Sequence, residues 1–474
     1  MHQVEEDKTS IPPSFLVDYP IRVAIEEIEF LEKGPVYTVP AFERIVRSRL
    51  VEAMAAGIQK LTPAVERAIG SLRQKMPGKS PAGTRYIKSD LPVGSPLAQR
   101  GPLPRIWIDL TFTYRSGDRG GIARVARELA MAAARTGLAL PVVIEDGQLR
   151  PYFASPGFEG NLVADETITY VVVDIFWDLF EEYLAIFKTL KSKNAKIVIC
   201  VHDLMPLYFP SFFGNYFVVL FASTFPTMIA KSDACIAVSD YTAGKVREFI
   251  LDHDIRPIAD YPLTSFPLGA NFQAGVKGTV RDEIKELFSN RFVFLSVGTL
   301  EPRKGYVVTI DAFELLWRQG IDCHFVIIGR EGWVSKALRS RILYHPEYRK
   351  RLYWFRDASD AEVTFAYEQT YCLIQASIAE GFGLPVVEAS RMGAPILASD
   401  NEVFREIAGD AITYFEVANP VDLSVKIKAS LAERPKAAQI KYVSWDESLA
   451  LMVARVHALF SREKAAAVRG VGRK

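Results

Sequence analysis

The stretch Ile374–Asp400 reads IQASIAEGFGLPVVEASRMGAPILASD and decides how the rest of the chain is interpreted. An apolar strand at Cys372–Gln375 leads into a short polar loop, a helix opens at Glu380–Pro385, and Gly393–Pro395 ends that helix before a second strand. The pattern predicts a strand-loop-helix-strand unit. Glycines let a ligand approach the backbone, and the free N–H groups of a helix start favour phosphate. Glu380 lies just before this helix and Glu388 falls in its first turns, so both carboxylates can face one cleft.

These two glutamates, with seven residues between them, resemble the E-x7-E signature of the retaining glycosyltransferases of family 4, which have the GT-B fold. The resemblance implies that Glu380 lies beside the transferred sugar and that Glu388 holds the ribose hydroxyls of the nucleotide. It also implies that the backbone between them meets the sugar and the diphosphate. That backbone belongs to Gly381, Phe382, Gly383 and Leu384. The alternative interpretation is an ordinary loop with two surface glutamates.

Composition limits the class of protein. A chain of 474 residues with 49% hydrophobic content can form two large domains and an appendage. With 57 Lys and Arg against 56 Asp and Glu, the net charge of +1 gives no overall attraction to nucleic acid. The four cysteines lie in apolar runs without metal-ligand spacing, which predicts buried, reduced thiols. They are Cys200, Cys235, Cys323 and Cys372.

No secretory signal is visible in residues 1–10, and a cytoplasmic protein is expected. The longest apolar run, residues 216–230, is too short for a membrane span and predicts a buried core helix. Residues 1–104 differ from the rest and are predicted to be a mainly helical extension that ends in a Pro-rich linker over residues 77–104. Within it, residues 42–79 carry eight basic and three acidic side chains, a net charge of +5, on a helical apolar pattern. Such a helix can bind the anionic inner face of the plasma membrane, or it can pack on the next domain or on a second copy.

The first Rossmann-like domain, the acceptor domain, is predicted at residues 105–268. A strand at Ile106–Leu110 precedes a glycine-rich loop and a helix over Ile122–Thr136. The loop lacks the G-x-G-x-x-G spacing, and Gly120 and Gly121 are similar to the family's glycine loop, which closes on donor diphosphate and acceptor. Further strands are predicted at Leu140–Ile144, Thr169–Val173 and Lys196–Val201, and a strand with a helix capped by Ser239 at residues 233–242.

His202 and Asp203 follow the strand that ends at Val201, at the sheet edge where open α/β folds bind ligands. They resemble the His-Asp pair of the family's first domain. The resemblance implies that His202 donates a hydrogen bond to the transferred sugar or its phosphate, and that Asp203 orients it or reaches the acceptor. A structural histidine is the alternative. The sole D-x-D triplet, residues 252–254, follows a helix and is predicted to be a solvated turn, so no metal site is expected.

The second Rossmann-like domain, the nucleotide-sugar donor domain, is predicted at residues 269–440. Its first strand, Phe292–Val297, leads into a loop that resembles the family's G-R-x-x-x-x-K-G, with Gly298 and Lys304 in place. Thr299 stands where the family often has arginine, and Arg303 is expected to supply the charge. Arg303 and Lys304 at a strand end suit a diphosphate. Later strands are predicted at His324–Gly329, Tyr353–Arg356, Pro395–Ser399 and Ile412–Phe415. The family resemblance implies that the backbone at the end of the strand that closes on Arg356 holds the nucleobase.

A helix from Trp445 to about Phe460, within a segment 441–474 that ends in a basic tail, is expected to cross back to the first domain. The predicted fold is therefore α/β of the GT-B type, with two Rossmann-like domains that face a central cleft. The resemblance implies a metal-independent, cofactor-free retaining enzyme that uses a GDP-, dTDP- or UDP-linked hexose. Its sugar would be of the mannose or rhamnose type, and its acceptor a lipid-linked oligosaccharide or surface glycan.

The chain is similar in these motifs to bacterial mannosyl- and rhamnosyltransferases of O-antigen, lipopolysaccharide or capsule assembly. Two other interpretations stay open. A nucleotide-sugar 2-epimerase shares the two-domain architecture, and a non-catalytic adaptor would use the basic N-terminal helix at a membrane.

Overall fold

The computed structural model describes residues 95–98, 103–117, 120–153, 162–255, 261–270, 278–289, 292–332 and 336–471. The basic helix predicted for residues 42–79 lies outside the described residues, as does most of the predicted extension. Ser95 belongs to the predicted linker and donates a hydrogen bond of 2.6 Å to the carbonyl of Ala134. The segment of residues 95–98 therefore packs on the first domain.

The first domain is built on a seven-stranded sheet. Its strands are Ile106–Asp109 (β1), Leu140–Glu145 (β2), Gln148–Pro151 (β3), Thr169–Val172 (β4), Lys196–Val201 (β5), Ala234–Ala237 (β6) and Leu263–Ser265 (β7). Their order is β3-β2-β1-β4-β5-β6-β7. The β2-β3 pair is antiparallel, and the other neighbouring pairs are parallel. The predicted strands are confirmed to within one residue because buried parallel strands require continuous apolar runs.

Helices cover both faces of this sheet. They are Thr111–Ser116 (α1), Gly121–Thr136 (α2), Phe180–Ser192 (α3), Met205–Tyr208 (α4), Asn215–Lys231 (α5) and Asp240–Asp252 (α6). Ile108 packs on the α2 face, whereas its neighbour Trp107 packs on the face covered by α3 and α5. The core helix predicted for residues 216–230 is confirmed as α5, and Ser239 caps α6 as expected.

Helix α1 was not predicted, since the sequence indicated only a glycine-rich loop between the first strand and the helix that starts at Ile122. Two buried carboxylates explain it. Asp109 accepts hydrogen bonds from the backbone N–H and the hydroxyl of Thr111, and Asp174 does the same for Thr113. Because these carboxylates satisfy the free N–H groups of the first turn, a short helix forms where the local sequence indicates a loop.

The second domain has a six-stranded parallel sheet. Its strands are Val293–Val297 (β8), His324–Ile328 (β9), Leu352–Phe355 (β10), Cys372–Gln375 (β11), Ile396–Ser399 (β12) and Thr413–Phe415 (β13), in the order β10-β9-β8-β11-β12-β13. Its helices are Asp282–Phe288 (α7), Tyr306–Arg318 (α8), Lys336–Leu343 (α9), Asp360–Gln369 (α10), Leu384–Arg391 (α11), Glu402–Ala408 (α12) and Pro420–Ala432 (α13). The two sheets and their helical layers confirm the predicted α/β fold.

The last helix, Trp445–Val471 (α14), returns to the first domain as predicted. Trp445, Leu449 and Met452 are buried in the same core as α2. The helix extends beyond the expected end near Phe460, over an Ala-rich segment of strong helix formers. In the part of the chain that the structure describes, no helix is both long and apolar enough to cross a membrane. The four cysteines are buried and unpaired, as predicted.

Candidate functional site: the cleft between the two sheets

The loop between β11 and α11 forms the second-domain side of the site. Gly383 begins the helix in a left-handed conformation with φ of 101°, and Pro385 occupies the first turn. A side chain at Gly383 would meet the ring of Phe404, since an added Cβ lies 2.7 Å from its Cε1. The predicted helix start is confirmed, and it leaves the unpaired N–H groups of α11 at the edge of the cleft.

Glu380 is the centre of a buried network of polar side chains. Its Oε1 accepts a hydrogen bond of 2.7 Å from Ser377 and lies 2.5 Å from Nζ of Lys304, and its Oε2 lies 3.1 Å from Nη1 of Arg303. Burial raises the pKa of this carboxyl, but Lys304 and Arg303 outweigh it and lower the pKa to about 2. Glu380 is therefore an ionised acceptor of hydrogen bonds rather than a proton donor.

The two cations of the β8-α8 loop are both paired. Besides its contact with Glu380, Arg303 places Nε 2.8 Å from Oε2 of the buried Glu301. Burial opposes the charge of Arg303, yet Glu380 and Glu301 raise the pKa of its guanidinium. Burial, together with the nearby Arg303, lowers the pKa of Lys304, and Glu380 opposes that shift. Thr299 is half-buried in the same loop. Arg303 is thus paired with two carboxylates. That it supplies the charge of the arginine that the family often has at position 299 stays a prediction.

Glu388 joins the two domains. Its side chain is 2% exposed, and Oε2 accepts a hydrogen bond of 3.0 Å from the Tyr367 hydroxyl. Its Oε1 lies 2.6 Å from Nη2 of Arg124, which belongs to helix α2 of the first domain. The carboxylate predicted to hold the ribose therefore has a cation as its partner across the cleft.

His202 and Asp203 lie at the carboxyl end of β5, where they were predicted. Nε2 of His202 lies 2.9 Å from the carbonyl oxygen of Val173, so this nitrogen carries a proton. Burial lowers the pKa of His202 and favours the neutral imidazole, whose Nδ1 can only accept a hydrogen bond. This geometry changes the expected role of His202, because a neutral ring in this orientation accepts from a ligand hydroxyl and does not donate to it.

Asp203 faces the charged network of the second domain. Its Oδ1 accepts a hydrogen bond of 3.0 Å from the backbone N–H of Met205. Burial raises the pKa of Asp203, and the nearby Arg303 opposes this shift. The acid from the first domain and the Glu380 network from the second therefore belong to one electrostatic unit.

Close backbone contacts hold the two halves of the site together. Gly381 lies so near the first domain that an added Cβ would be 1.9 Å from the carbonyl oxygen of His202. The carbonyl of Gly381 accepts hydrogen bonds from the hydroxyls of Ser239 and Thr242, at 2.7 and 3.2 Å. Phe382 is buried in the core of the first domain. The segment from Gly381 to Phe382 therefore fits directly against the first domain.

Of the remaining predicted residues, some lie near the charged groups of the site and one does not. Gly120 is the N-cap of α2 and Gly121 its first residue, one turn before Arg124. The backbone carbonyl of Gly298 accepts a hydrogen bond from Tyr306. Arg356 is exposed, contacts the ring of Trp354 at 5.2 Å and, among the described residues, takes no part in the ion pairs around Glu380 and Glu388.

Sequence reasoning missed several residues that complete the site. Arg124, Glu301 and Tyr367 hold the predicted charged groups, and Gln375 reaches Glu380 at 3.3 Å. Arg124 follows the predicted glycine loop by one helical turn, and this position was the available signal. Across the described ranges, no group of three or more His, Cys, Asp or Glu side chains could hold a metal ion.

The two facing Rossmann-like sheets, with this charged network at their carboxyl edges, define a protein of the GT-B glycosyltransferase architecture. Solved structures support the fold: the chain is similar to HepE of Anabaena, solved in complex with UDP and glucose, with a TM-score of 0.50, 16% identity, and 77% of this chain and 99% of that one covered. Residues 280–444 match the family of glycosyl transferases group 1. The match covers less than half of the chain and agrees with the family resemblance of the sequence motifs.

The curated relatives of the chain are mannosyltransferases by name. The chain is 29% identical, over 368 residues, to the serotype-specific mannosyltransferase WbdA of Escherichia coli, a match that covers 73% of this chain and 45% of the relative. It is 24% identical, over 277 residues, to the O-antigen chain mannosyltransferase RfbU of Salmonella typhimurium, covering 55% of this chain and 71% of the relative. The chain thus spans about half the length of the WbdA relative.

Proposed function

We propose that this protein transfers a hexose of the mannose type from a nucleotide-sugar to a polysaccharide acceptor that is lipid-linked or at the cell surface. One observation carries the proposal: Glu380 and Glu388, on either side of a glycine-lined helix start, are buried in the cleft next to the partly buried Arg303, Lys304 and first-domain His202. The names of the mannosyltransferase relatives support the choice of sugar.

The donor would bind across the start of α11. Glu388 accepts hydrogen bonds from the ribose hydroxyls, each worth about 1.5–3 kcal/mol for a charged acceptor, once Arg124 has moved away. The diphosphate binds the free N–H groups at Gly383 and Leu384 and draws Lys304 from Glu380. The donor is a GDP-, UDP- or dTDP-linked hexose, and the experiment below identifies its base.

Bond cleavage places positive charge on the sugar and negative charge on the departing diphosphate. Lys304, Arg303 and the α11 N–H groups stabilise that negative charge, and one such preorganised donor contributes on the order of 10²–10³ in rate. No metal ion is needed in this scheme. Glu380 stays ionised and accepts from sugar hydroxyls, while neutral His202 accepts from another hydroxyl at Nδ1. The acceptor hydroxyl attacks the anomeric carbon from the face that the phosphate leaves and gives its proton to the departing phosphate, so the anomeric configuration is retained.

A lipid-linked acceptor would bring the protein to a membrane surface. The basic residues 42–79, with a net charge of +5, are suited to contact anionic lipids there, at the inner face of the plasma membrane. Sedimentation with vesicles of phosphatidylglycerol, compared between the full chain and a chain without residues 42–79, measures this contact. Equal sedimentation of both chains would contradict it.

A thermal-shift panel of GDP, UDP, dTDP and their hexose conjugates, with EDTA throughout, tests the function. A ligand that binds only the folded protein raises Tm by mass action. We expect a shift with one base, undiminished by EDTA, and transfer of the matching labelled hexose to a manno-oligosaccharide. A flat panel on folded protein contradicts the proposal. Conversion of the donor to an epimer without any acceptor would replace it with the isomerase alternative.

A further inference from the structure

A second charged contact joins the two domains. The carboxylate of Glu406, on helix α12 of the second domain, accepts hydrogen bonds from two backbone N–H groups at the start of helix α6 in the first domain. These are the N–H of Asp240, 2.8 Å from Oε1, and the N–H of Tyr241, 2.7 Å from Oε2. The N–H groups of a first helical turn have no partner within the helix, and the helix dipole favours a negative charge there. Glu406 therefore binds the first domain with both of its oxygens.

Helix α12 is fixed to the loop between β11 and α11, which carries the glutamates of the site. Its N-cap, Asn401, donates a hydrogen bond of 3.1 Å from Nδ2 to the carbonyl of Ser377 in that loop. The ring of Phe404 lies against Gly383 at the end of the same loop. The position of Glu406 relative to the loop is therefore set by contacts within the second domain.

The start of helix α6 is fixed to the first domain and touches the same loop. Its N-cap, Ser239, donates a hydrogen bond of 2.7 Å from its hydroxyl to the carbonyl of Gly381. The side chain of Asp240 accepts a hydrogen bond from the hydroxyl of Ser265, on the last strand of the first sheet. The carbonyl of His202 also closely approaches Gly381. A carboxylate that holds α6 against this loop therefore helps to hold His202 against it as well.

The contact of Glu406 differs from the ion pair of Arg124 and Glu388 in its relation to the donor. In the proposed function the ribose takes Glu388, so this ion pair is lost when the donor binds. Glu406 binds backbone groups, and neither side of its contact is assigned to the nucleotide or to the sugar. One contact thus competes with the donor, and the other is compatible with it.

We infer that Glu406 is a positioning residue for transfer, because it holds the two domains together in the donor complex, after the ribose has released Arg124 from Glu388. Through α6 it keeps His202 beside the loop of Glu380 while the acceptor reacts. The inference rests on the proposed function, since the ribose on Glu388 is what breaks the other contact. A cleft that stays closed also excludes water, which would otherwise hydrolyse the donor.

Two variants remove this contact from opposite sides. Glu406→Gln removes the charge and leaves one accepting oxygen for two N–H groups. Asp240→Pro removes the N–H of the first helical residue, a position that accepts proline, and Ser239 before it is already extended, as the residue before a proline prefers. Asp240→Ala keeps that N–H and loses only the contact with Ser265, so it is the matched control for Asp240→Pro. Glu402→Gln, an exposed glutamate on the same helix, is the matched control for Glu406→Gln.

We expect Glu406→Gln and Asp240→Pro to lower the kcat of hexose transfer about tenfold and to change the Kd of the nucleotide by less than about twofold, since no donor contact is lost. Hydrolysis of the donor relative to transfer should rise. In X-ray scattering, the radius of gyration of both variants should match that of the wild type without nucleotide. It should exceed the wild-type value with GDP, UDP or dTDP, whichever raises the Tm of the wild type. A residue that only stabilised the fold would not make the radius depend on nucleotide.

Wild-type transfer rates in both Glu406→Gln and Asp240→Pro would overturn the inference, and so would a radius that is equally enlarged with and without nucleotide. Failure of the proposed function gives a different result, namely a wild-type protein that binds no nucleotide. The ligand-free protein then still tests the contact: Arg124→Gln combined with Glu406→Gln should increase the radius of gyration by more than the sum of the two single changes. An additive increase, or none, would show that Glu406 does not hold the domains together.

Discussion

The guanidinium of Arg124 in the first domain lies 2.6 Å from the buried carboxylate of Glu388 in the second. Glu388 has the Tyr367 hydroxyl as its other polar contact. A ribose that binds Glu388 must therefore take the place of Arg124, and donor binding and domain contact are coupled through one carboxylate. A buried carboxylate without a partner costs free energy. We therefore expect Glu388 to contact Arg124 in the ligand-free protein and the ribose in the donor complex.

Replacing Glu388 with Gln tests its role in nucleotide binding. The amide keeps the size of the side chain but loses the charge, and we expect nucleotide affinity to fall about tenfold or more. Isothermal titration with the nucleotide from the thermal-shift panel measures the change. Glu368→Gln, an exposed glutamate on α10, is the matched control and should bind as the wild type does. Unchanged affinity in Glu388→Gln would remove the ribose role.

Arg124→Gln tests whether Arg124 competes with the ribose for Glu388 or contacts the donor itself. Without the guanidinium, Glu388 has no cation to exchange for the ribose, so nucleotide affinity should rise severalfold while the Tm of the ligand-free protein falls. The same titration and a thermal melt measure both effects, with Arg127→Gln on the same helix as the control. Weaker nucleotide binding in Arg124→Gln would show instead that Arg124 contacts the donor.

Lys304→Ala tests charge stabilisation of the leaving group. Glu380 keeps Arg303 as a partner, so the fold should persist, and turnover should fall on the order of 10²-fold. Initial rates of hexose transfer, with Tm as the check on folding, measure it. Lys285→Ala removes an exposed lysine of the same domain and serves as control. Wild-type turnover in Lys304→Ala would mean that another group stabilises the diphosphate.

Gly381→Ala tests the contact between the two domains. The new methyl group would lie 1.9 Å from the carbonyl oxygen of His202, so the domains must separate and the Glu380 network must move from His202. We expect transfer to fall more than tenfold, with a larger radius of gyration in X-ray scattering. Gly244→Ala, in helix α6 with open space around it, is the control. Full activity in Gly381→Ala would show that the closed contact is not required.

Local sequence predicted the strands other than β3 and β7, the helix start at Leu384 and the positions of Glu380, Glu388 and His202, because each depends on apolar runs and turn residues near in the chain. Contacts across the cleft were not predictable in this way. Arg124 meets Glu388 only after both sheets have folded and packed, and the Val173 carbonyl that fixes the ring of His202 directly follows another strand, β4. Helix α1 likewise depends on Asp174, which is distant in sequence.

Asp174 gives the protein a pH dependence of stability. Burial, the largest effect, raises the pKa of its carboxyl to about 7, although the backbone N–H groups of Thr113 and Ile175 oppose the shift. A carboxyl with a raised pKa in the folded state favours folding while it is protonated. This stability is present below the ordinary pKa near 4 and is lost as the pH rises to about 7.

We therefore expect the Tm to fall between about pH 4 and pH 7, with a change in free energy of unfolding on the order of a few kcal/mol from this group. Asp174→Asn keeps a neutral side chain at every pH, so its Tm should depend less on pH, even if the loss of one acceptor oxygen lowers it overall. Thermal melts across this pH range compare the two proteins, with the exposed Asp357→Asn as the control. An equal slope in Asp174→Asn and wild type would assign the dependence to another buried acid.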